Sequence, residues 1–203
     1  CALPIYGVAW GGELLRGDAH HWARLGHLTP LRLPGGDVAA REPWRLAAAT
    51  LHLLGRATEA PQRLGQHHSA TGLQLLNQMM DKGLNSPWAT GAGRWFDAAA
   101  GILGQGQRQA FEAQAAIALE QAATAWLAHH PMLADAHDLP LAADGSLDMR
   151  PLMTRLWALA DARQADPNDL LGEGAARFHV SLADGLARWA WHAAHAQGLH
   201  DLV

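Results

Sequence analysis

The stretch Asn85–Gly104, NSPWATGAGRWFDAAAGILG, decides how this chain is read, because it sets one carboxylate, Asp97, on a helix built largely of small residues. With Phe96, Ala99, Ala100 and Leu103 directed inward at helical spacing, Asp97 is expected to look out beside Gly93, Gly101 and Gly104. Glycine inside a helix costs about 1 kcal/mol relative to alanine, so three of them around one acid need a reason. Two reasons stay open: close helix-helix packing with a solvated Asp97, or a ligand that enters the gap.

Outward from this helix the pattern is helix-rich α/β. Upstream, YGVAW, GELLRG and WARLGHLTPLRLP are short runs broken by Gly or Pro, which predicts β structure over about residues 1–40. From about 41 to 203 the periodicity is helical. In REPWRLAAATLHLLG, Pro43 suits a first helical position, Trp44, Ala47, Leu51 and Leu54 form a stripe, and Gly55 ends it. After the turn-rich RATEAPQRLG, a helix is expected over Ala70 to Lys82. The helix of Asp97 then follows Ser86 and Pro87 with Thr90 as its cap.

An alanine-rich helix spans about Glu112 to His129, and Asp144-Gly145 signals a hairpin between short apolar runs. Pro151 opens a helix to about Arg163. A final amphipathic helix carries Leu171, Ala175, Phe178, Leu182, Trp189 and Ala193 and stops near Gly198. There is no internal repeat and no low-complexity linker, so residues 1–203 read as a single unit.

At 203 residues, 49% hydrophobic and 17% charged, the chain suits one buried core. A net charge of −4, with fifteen scattered Lys and Arg, provides no footprint for nucleic acid or an anionic membrane. The single cysteine, Cys1, excludes an internal disulfide or a zinc site on paired cysteines and fits a reducing cytoplasm. No segment reads as a secretion signal or a membrane span. A start on Cys instead of Met reads as a fragment.

Thirteen histidines invite a metal reading, but adjacent pairs such as His20-His21, His67-His68 and His129-His130 diverge on either a helix or a strand. His192 and His195 have good helical spacing without an evident third ligand, so no metal site is assigned. Gly-x-Ser-x-Gly and Walker A motifs are absent, and the catalytic residue stays unknown. In LPGGDVAAREPW, Gly35 and Gly36 precede a helix and would expose backbone amides to an anion, or simply turn the chain. Arg41 and Glu42 read as a surface pair. Of nine tryptophans, Trp44, Trp95, Trp157 and Trp189 are the expected core members.

Four stretches in order resemble the C-terminal part of the HypF family, the carbamoyltransferases of [NiFe] hydrogenase maturation. They are GVAWGGELL, LPGGDVAAREPW, NSPWATGAGRWFDAAAGILG with FEAQAAIALE, and AARFHVSLADGLA. That region is similar to the TsaD-type threonylcarbamoyl transferases, so the resemblance implies a partial actin-like ATPase (ASKHA) domain with short N-terminal strands followed by a helical lobe. It implies binding of ATP or carbamoyl adenylate, the latter made by a YrdC-like domain, and transfer of the carbamoyl group to the C-terminal cysteine of HypE for cyanide synthesis.

In this frame Gly35, Gly36 and Asp37 lie toward the phosphates. Asp97 falls on the acid of a Phe-Asp nucleotide motif, and Glu112 opens the helix whose family pattern is Glu-Gly, here Glu112-Ala113. The resemblance also implies a metal ion, Fe or Zn, in the complete protein, on a His-rich motif outside these residues and an Asp-Gly loop missing between Trp10 and Gly11. A noncatalytic docking module for HypE and a different actin-like ATPase remain the alternatives.

Overall fold

Gly and Pro interrupt every apolar run before residue 37, and the strands there are accordingly short. The structure, a computed structural model, describes residues 7–105, 107–162 and 167–199; Cys1 and Arg163, named above, and the first residue of YGVAW lie outside them. Strands β1 (Val8–Ala9), β2 (Glu13–Gly17), β3 (Trp22–His27) and β4 (Leu31–Arg32) come first, and β5 (Trp88–Ala89) follows much later. One sheet has the order β1-β5-β4, with β1 parallel and β4 antiparallel to β5. β2 and β3 form a separate antiparallel hairpin with a register shift at Leu14/Leu15. Trp22 at its tip is 76% exposed.

The helices are α1 (Asp37–Arg41), α2 (Pro43–Leu53), α3 (Ala60–Leu64), α4 (Ala70–Asp81), α5 (Ala92–Ile102), α6 (Gln114–Leu127), α7 (Arg150–Ala162) and α8 (Pro167–Gln197). The segment expected to be turn-rich is instead a 3-10 turn, Ala57–Glu59, running into α3. Glu59 holds it by accepting from both Arg56 and Arg63. Asp144-Gly145 does turn the chain between Leu141 and Leu147, which form an antiparallel bridge.

The core lies where α2, α5, α6 and α8 meet, around Leu46, Leu51, Trp95, Leu119 and Phe178. α2 is buried nearly all round, from Leu46 to Leu51, beyond the single stripe its sequence announces. Trp157 is buried and donates to Thr50 Oγ1 at 2.9 Å, while Trp189 donates to the Gly145 carbonyl at 2.9 Å. Trp44 is only half-buried, stacked on His68 with ring centroids 3.7 Å apart. Gly101 shows why α5 carries glycine: a Cβ there would lie 2.4 Å from the Pro43 carbonyl oxygen, so the residue exists for the α2–α5 contact. Among the described residues no helix is long and apolar enough to cross a membrane.

Candidate functional site

Strands β1 and β5 run in parallel and both end in glycine turns, Gly11-Gly12 beside β1 and Gly91 beside β5, from which α5 departs. Carboxyl ends of parallel strands meeting a helix N-terminus are the usual ligand position in α/β folds. Two acids are buried in this region.

Glu13, at the start of β2, has a side chain only 5% exposed. One carboxylate oxygen accepts from the Gly11 and Gly12 amides at 2.6 and 2.8 Å, and the other from Arg24 at 2.9 Å and from the Thr90 hydroxyl. Burial alone would raise its pKa; the Thr90 hydroxyl, the two amides and Arg24 together hold it below the ordinary value. Thr90 is therefore not the cap of α5. Gly91 occupies that position, and the Thr90 side chain serves Glu13.

Asp97 sits midway along α5 and is 2% exposed, which corrects the expectation that it looks outward. α5 is buried on most of its circumference, including Trp95, Ala98, Ala99, Ala100 and Ile102, because α2, α6, α7 and α8 all pack on it. Phe96 is half-buried, edge-on to Phe178. Asp97 Oδ1 accepts from Gln109 Nε2 at 2.9 Å. Oδ2 is sealed from solvent and accepts no hydrogen bond; the nearest cation, Arg94 Nη1, is 3.1 Å away but outside hydrogen-bonding alignment. Burial pushes its pKa up to about 6, against the opposing pull of Arg94 and Gln109.

Gln109 ties this acid to its surroundings. Its side-chain nitrogen also donates to the Ala40 carbonyl at 2.7 Å, its side-chain oxygen accepts from the Ala115 amide at 2.9 Å, and its own amide donates to Arg41. The end of α1, the middle of α5 and the first turn of α6 are thus joined through one side chain. Glu112 lies exposed just ahead of α6, next to Ala113, which holds a left-handed φ of 62° as the N-cap. The Glu-Gly pattern of the resemblance supplies, at that position, the residue that adopts such a φ without strain.

The Gly35-Gly36 turn follows β4 and leads into Asp37 and α1. Its two amides donate to the carbonyls of Asn85 and Leu33, both at 2.8 Å, so they hold the turn closed. Because β4 is antiparallel to β5, this turn lies where the chain enters β5, and α5 leaves from the other end. Gly35, Gly36 and Asp37 therefore reach Asp97 only indirectly, through α1 and Gln109. Glu42 pairs with Arg45 at 2.6 Å instead of forming a surface pair with Arg41.

Two grooves lie elsewhere: one of about 570 Å³ lined by Leu14, Leu25, Leu141, Trp189 and His192, another of about 430 Å³ lined by Trp44, His68, Leu75 and Met79. Neither includes Asp97 or the glycine turn. His195 stacks on Trp191, and among the described residues no three His, Cys, Asp or Glu side chains form a metal-holding group. Glu13, Arg94 and Gln109 were not anticipated as site residues. The Arg94–Asp97 spacing of three was a readable helical pair; nothing local marks Gln109.

Residues 6–203 match the family described as carbamoyltransferase, Kae1-like domain, second subdomain. The chain is 49% identical over 201 residues to a carbamoyltransferase HypF homolog of Cupriavidus necator, covering 99% of this chain and 50% of that protein. It is 40% identical over 198 residues to the carbamoyltransferase HypF of Rhizobium leguminosarum, covering 97% of this chain and 24% of that one. The chain thus spans half or less of these relatives. A full-length HypF structure in a phosphate- and nucleotide-bound form superposes with a TM-score of 0.77 at 21% identity, over 97% of this chain and 24% of that chain. The T. kodakarensis HypF structure superposes at 0.75 with 24% identity, over 95% of this chain and 25% of that chain.

Proposed function

This chain belongs to the HypF carbamoyltransferase family, as the second subdomain of its Kae1-like domain, and on that premise we propose that it serves carbamoyl transfer in [NiFe] hydrogenase maturation. The observation that carries the reading is the family match over residues 6–203. Carbamoyl adenylate from a YrdC-like domain is bound here, and the carbamoyl group passes to the C-terminal cysteine of HypE in a reducing cytoplasm. The thiolate attacks the carbamoyl carbon, the carbon–oxygen bond to phosphate breaks, and AMP leaves with that electron pair.

The substrate is already activated, so the site has to orient it, exclude water and stabilise the charge that develops on the carbonyl. Asp97 and Glu112 belong to the nucleotide side of this site through the α5–Gln109–α6 bracket. Gly35, Gly36 and Asp37 act at the far end of the same bracket, through α1. Among the described residues no group of three His, Cys, Asp or Glu side chains could hold a metal ion.

Calorimetric titration with AMP and with a nonhydrolysable carbamoyl adenylate analogue tests the reading. Saturable binding, weakened in Asp97→Asn, is expected. Absence of saturable binding by the parent chain would leave only the docking alternative. Carbamoyl transfer to HypE by these 203 residues alone is expected to be weak or absent, because they span at most half of the relatives matched; robust turnover by the isolated chain would contradict that division of labour.

A further inference from the structure

Resting on the nucleotide-site reading, we propose that residues 107–113 form a strap that holds Asp97 shut, with Gln109 as its plug, and that the ribose of a nucleotide opens it by taking the carboxylate from Gln109. The strap is neither helix nor strand, and every side chain on it but one is exposed, Phe111 to 58%. The exception is Gln109, at 9%.

A glutamine is a costly residue to bury on an otherwise exposed segment unless its donors and acceptor are matched. Here they are. Nε2 donates to Asp97 Oδ1 at 2.9 Å and to the Ala40 carbonyl at 2.7 Å, and Oε1 accepts from the Ala115 amide at 2.9 Å. The backbone amide of Gln109 donates to the Arg41 carbonyl at 2.7 Å. The strap is therefore fastened at this one residue, and the same residue occupies the acid.

The fastening serves the strap better than it serves Asp97. The acid is 2% exposed, and its Oδ2 accepts no hydrogen bond. A vicinal diol carries two O–H donors on adjacent carbons, enough to serve both oxygens of one carboxylate. Exchanging Gln109 for a diol thus turns one hydrogen bond into two and satisfies the bare oxygen. The groups that Gln109 gives up, the Ala40 carbonyl and the Ala115 amide, pass to water as the strap lifts, so they are not stranded. The strap ends on Ala113 at a φ of 62°, a left-handed conformation that an alanine holds at a cost, so the closed form carries strain at its hinge. Opening still subtracts from the affinity, because a ligand binds only the fraction of molecules with Asp97 uncovered.

The test combines calorimetry of AMP binding to the parent chain, Gln109→Ala and Asp97→Asn with amide hydrogen exchange of the parent, with and without saturating AMP. Gln109→Ala is expected to bind AMP about tenfold more tightly, because the strap no longer competes for Asp97. A glutamine that only braced the fold would give no gain. In the parent, AMP is expected to quicken exchange at the Gln109 and Ala115 amides, whose acceptors are given up on opening. Both results are required. Unchanged or weaker AMP binding by Gln109→Ala overturns the proposal, and so does exchange that stays slow at either amide; parental AMP binding that Asp97→Asn weakens leaves the nucleotide reading standing in both cases. No saturable AMP binding by the parent or by Gln109→Ala overturns both. Should Gln109→Ala not fold, Gln109→Val, closer in volume and equally without donors, takes its place with the same criteria.

Discussion

Glu13 and Asp97 are both carboxylates sealed from solvent beside an arginine, and the protein treats them in opposite ways. Glu13 closes the Gly11-Gly12 turn with four donors and titrates below its ordinary value. Asp97 has one donor, one oxygen without a hydrogen bond, and a pKa pushed up to about 6. The first is a satisfied anion that holds strand ends together; the second is an unsatisfied one whose cost the fold carries. Two things separate them: Asp97 lies deeper than Glu13, and fewer N–H and O–H groups are aimed at its carboxylate.

The strongest way to break the contrast is Glu13→Ala. It strands two amides, the Thr90 hydroxyl and the Arg24 guanidinium, and should lower unfolding free energy in urea by about 3–5 kcal/mol. A loss under about 1 kcal/mol would show that these contacts are not holding the strand ends.

Asp97→Asn should behave differently. The folded protein holds a proton on Asp97 up to about pH 6, whereas the unfolded chain releases it near 3.8, so the folded state binds more protons between those values. Asp97 therefore favours folding below pH 4, and that contribution is lost as pH rises through 6, on the order of 3 kcal/mol across the window. The difference between parent and Asp97→Asn stability, followed from pH 4 to 7.5, should show that fall, with the variant at least as stable as the parent at neutral pH. A flat difference curve would remove the distinction between the two acids.

Gln109→Leu sharpens the comparison from the other side, because Gln109 is the one donor to Asp97 and also joins α1 to α6. A loss of about 2 kcal/mol in thermal or urea unfolding is expected. The smallest effect should be a gain: Ala113→Gly relieves the left-handed φ at the α6 N-cap and should stabilise by about 1 kcal/mol. A destabilised Ala113→Gly would show that the turn ahead of α6 is not strained.

Much of the fold was legible because the helices after Pro43 keep three- and four-residue spacing and are punctuated by Gly55, Gly83 and Pro131. β5 was not, since Trp88 and Ala89 are two residues and too few to show alternation. The short helix α3 was hidden by Pro61, which reads as a breaker yet sits in a first turn where its missing N–H costs nothing. On α5 the sequence suggested one inward face, and the structure surrounds the helix with four others. That is why Gly101 proved to be a packing residue and Asp97 a buried one, while Gly93 kept the open space. Glu13 lay within a motif already singled out; its role depended on Thr90, 77 residues away, which no local pattern connects.

The central claim, that these two buried acids are held in opposite electrostatic states, is tested most directly by ¹³C carboxyl NMR titration of the folded chain, assigned with Glu13→Gln and Asp97→Asn. Asp97 should titrate near pH 6 and Glu13 below the ordinary glutamate value of 4.5. An Asp97 resonance that titrates near 3.8, or a Glu13 resonance that titrates above Asp97, would contradict the account.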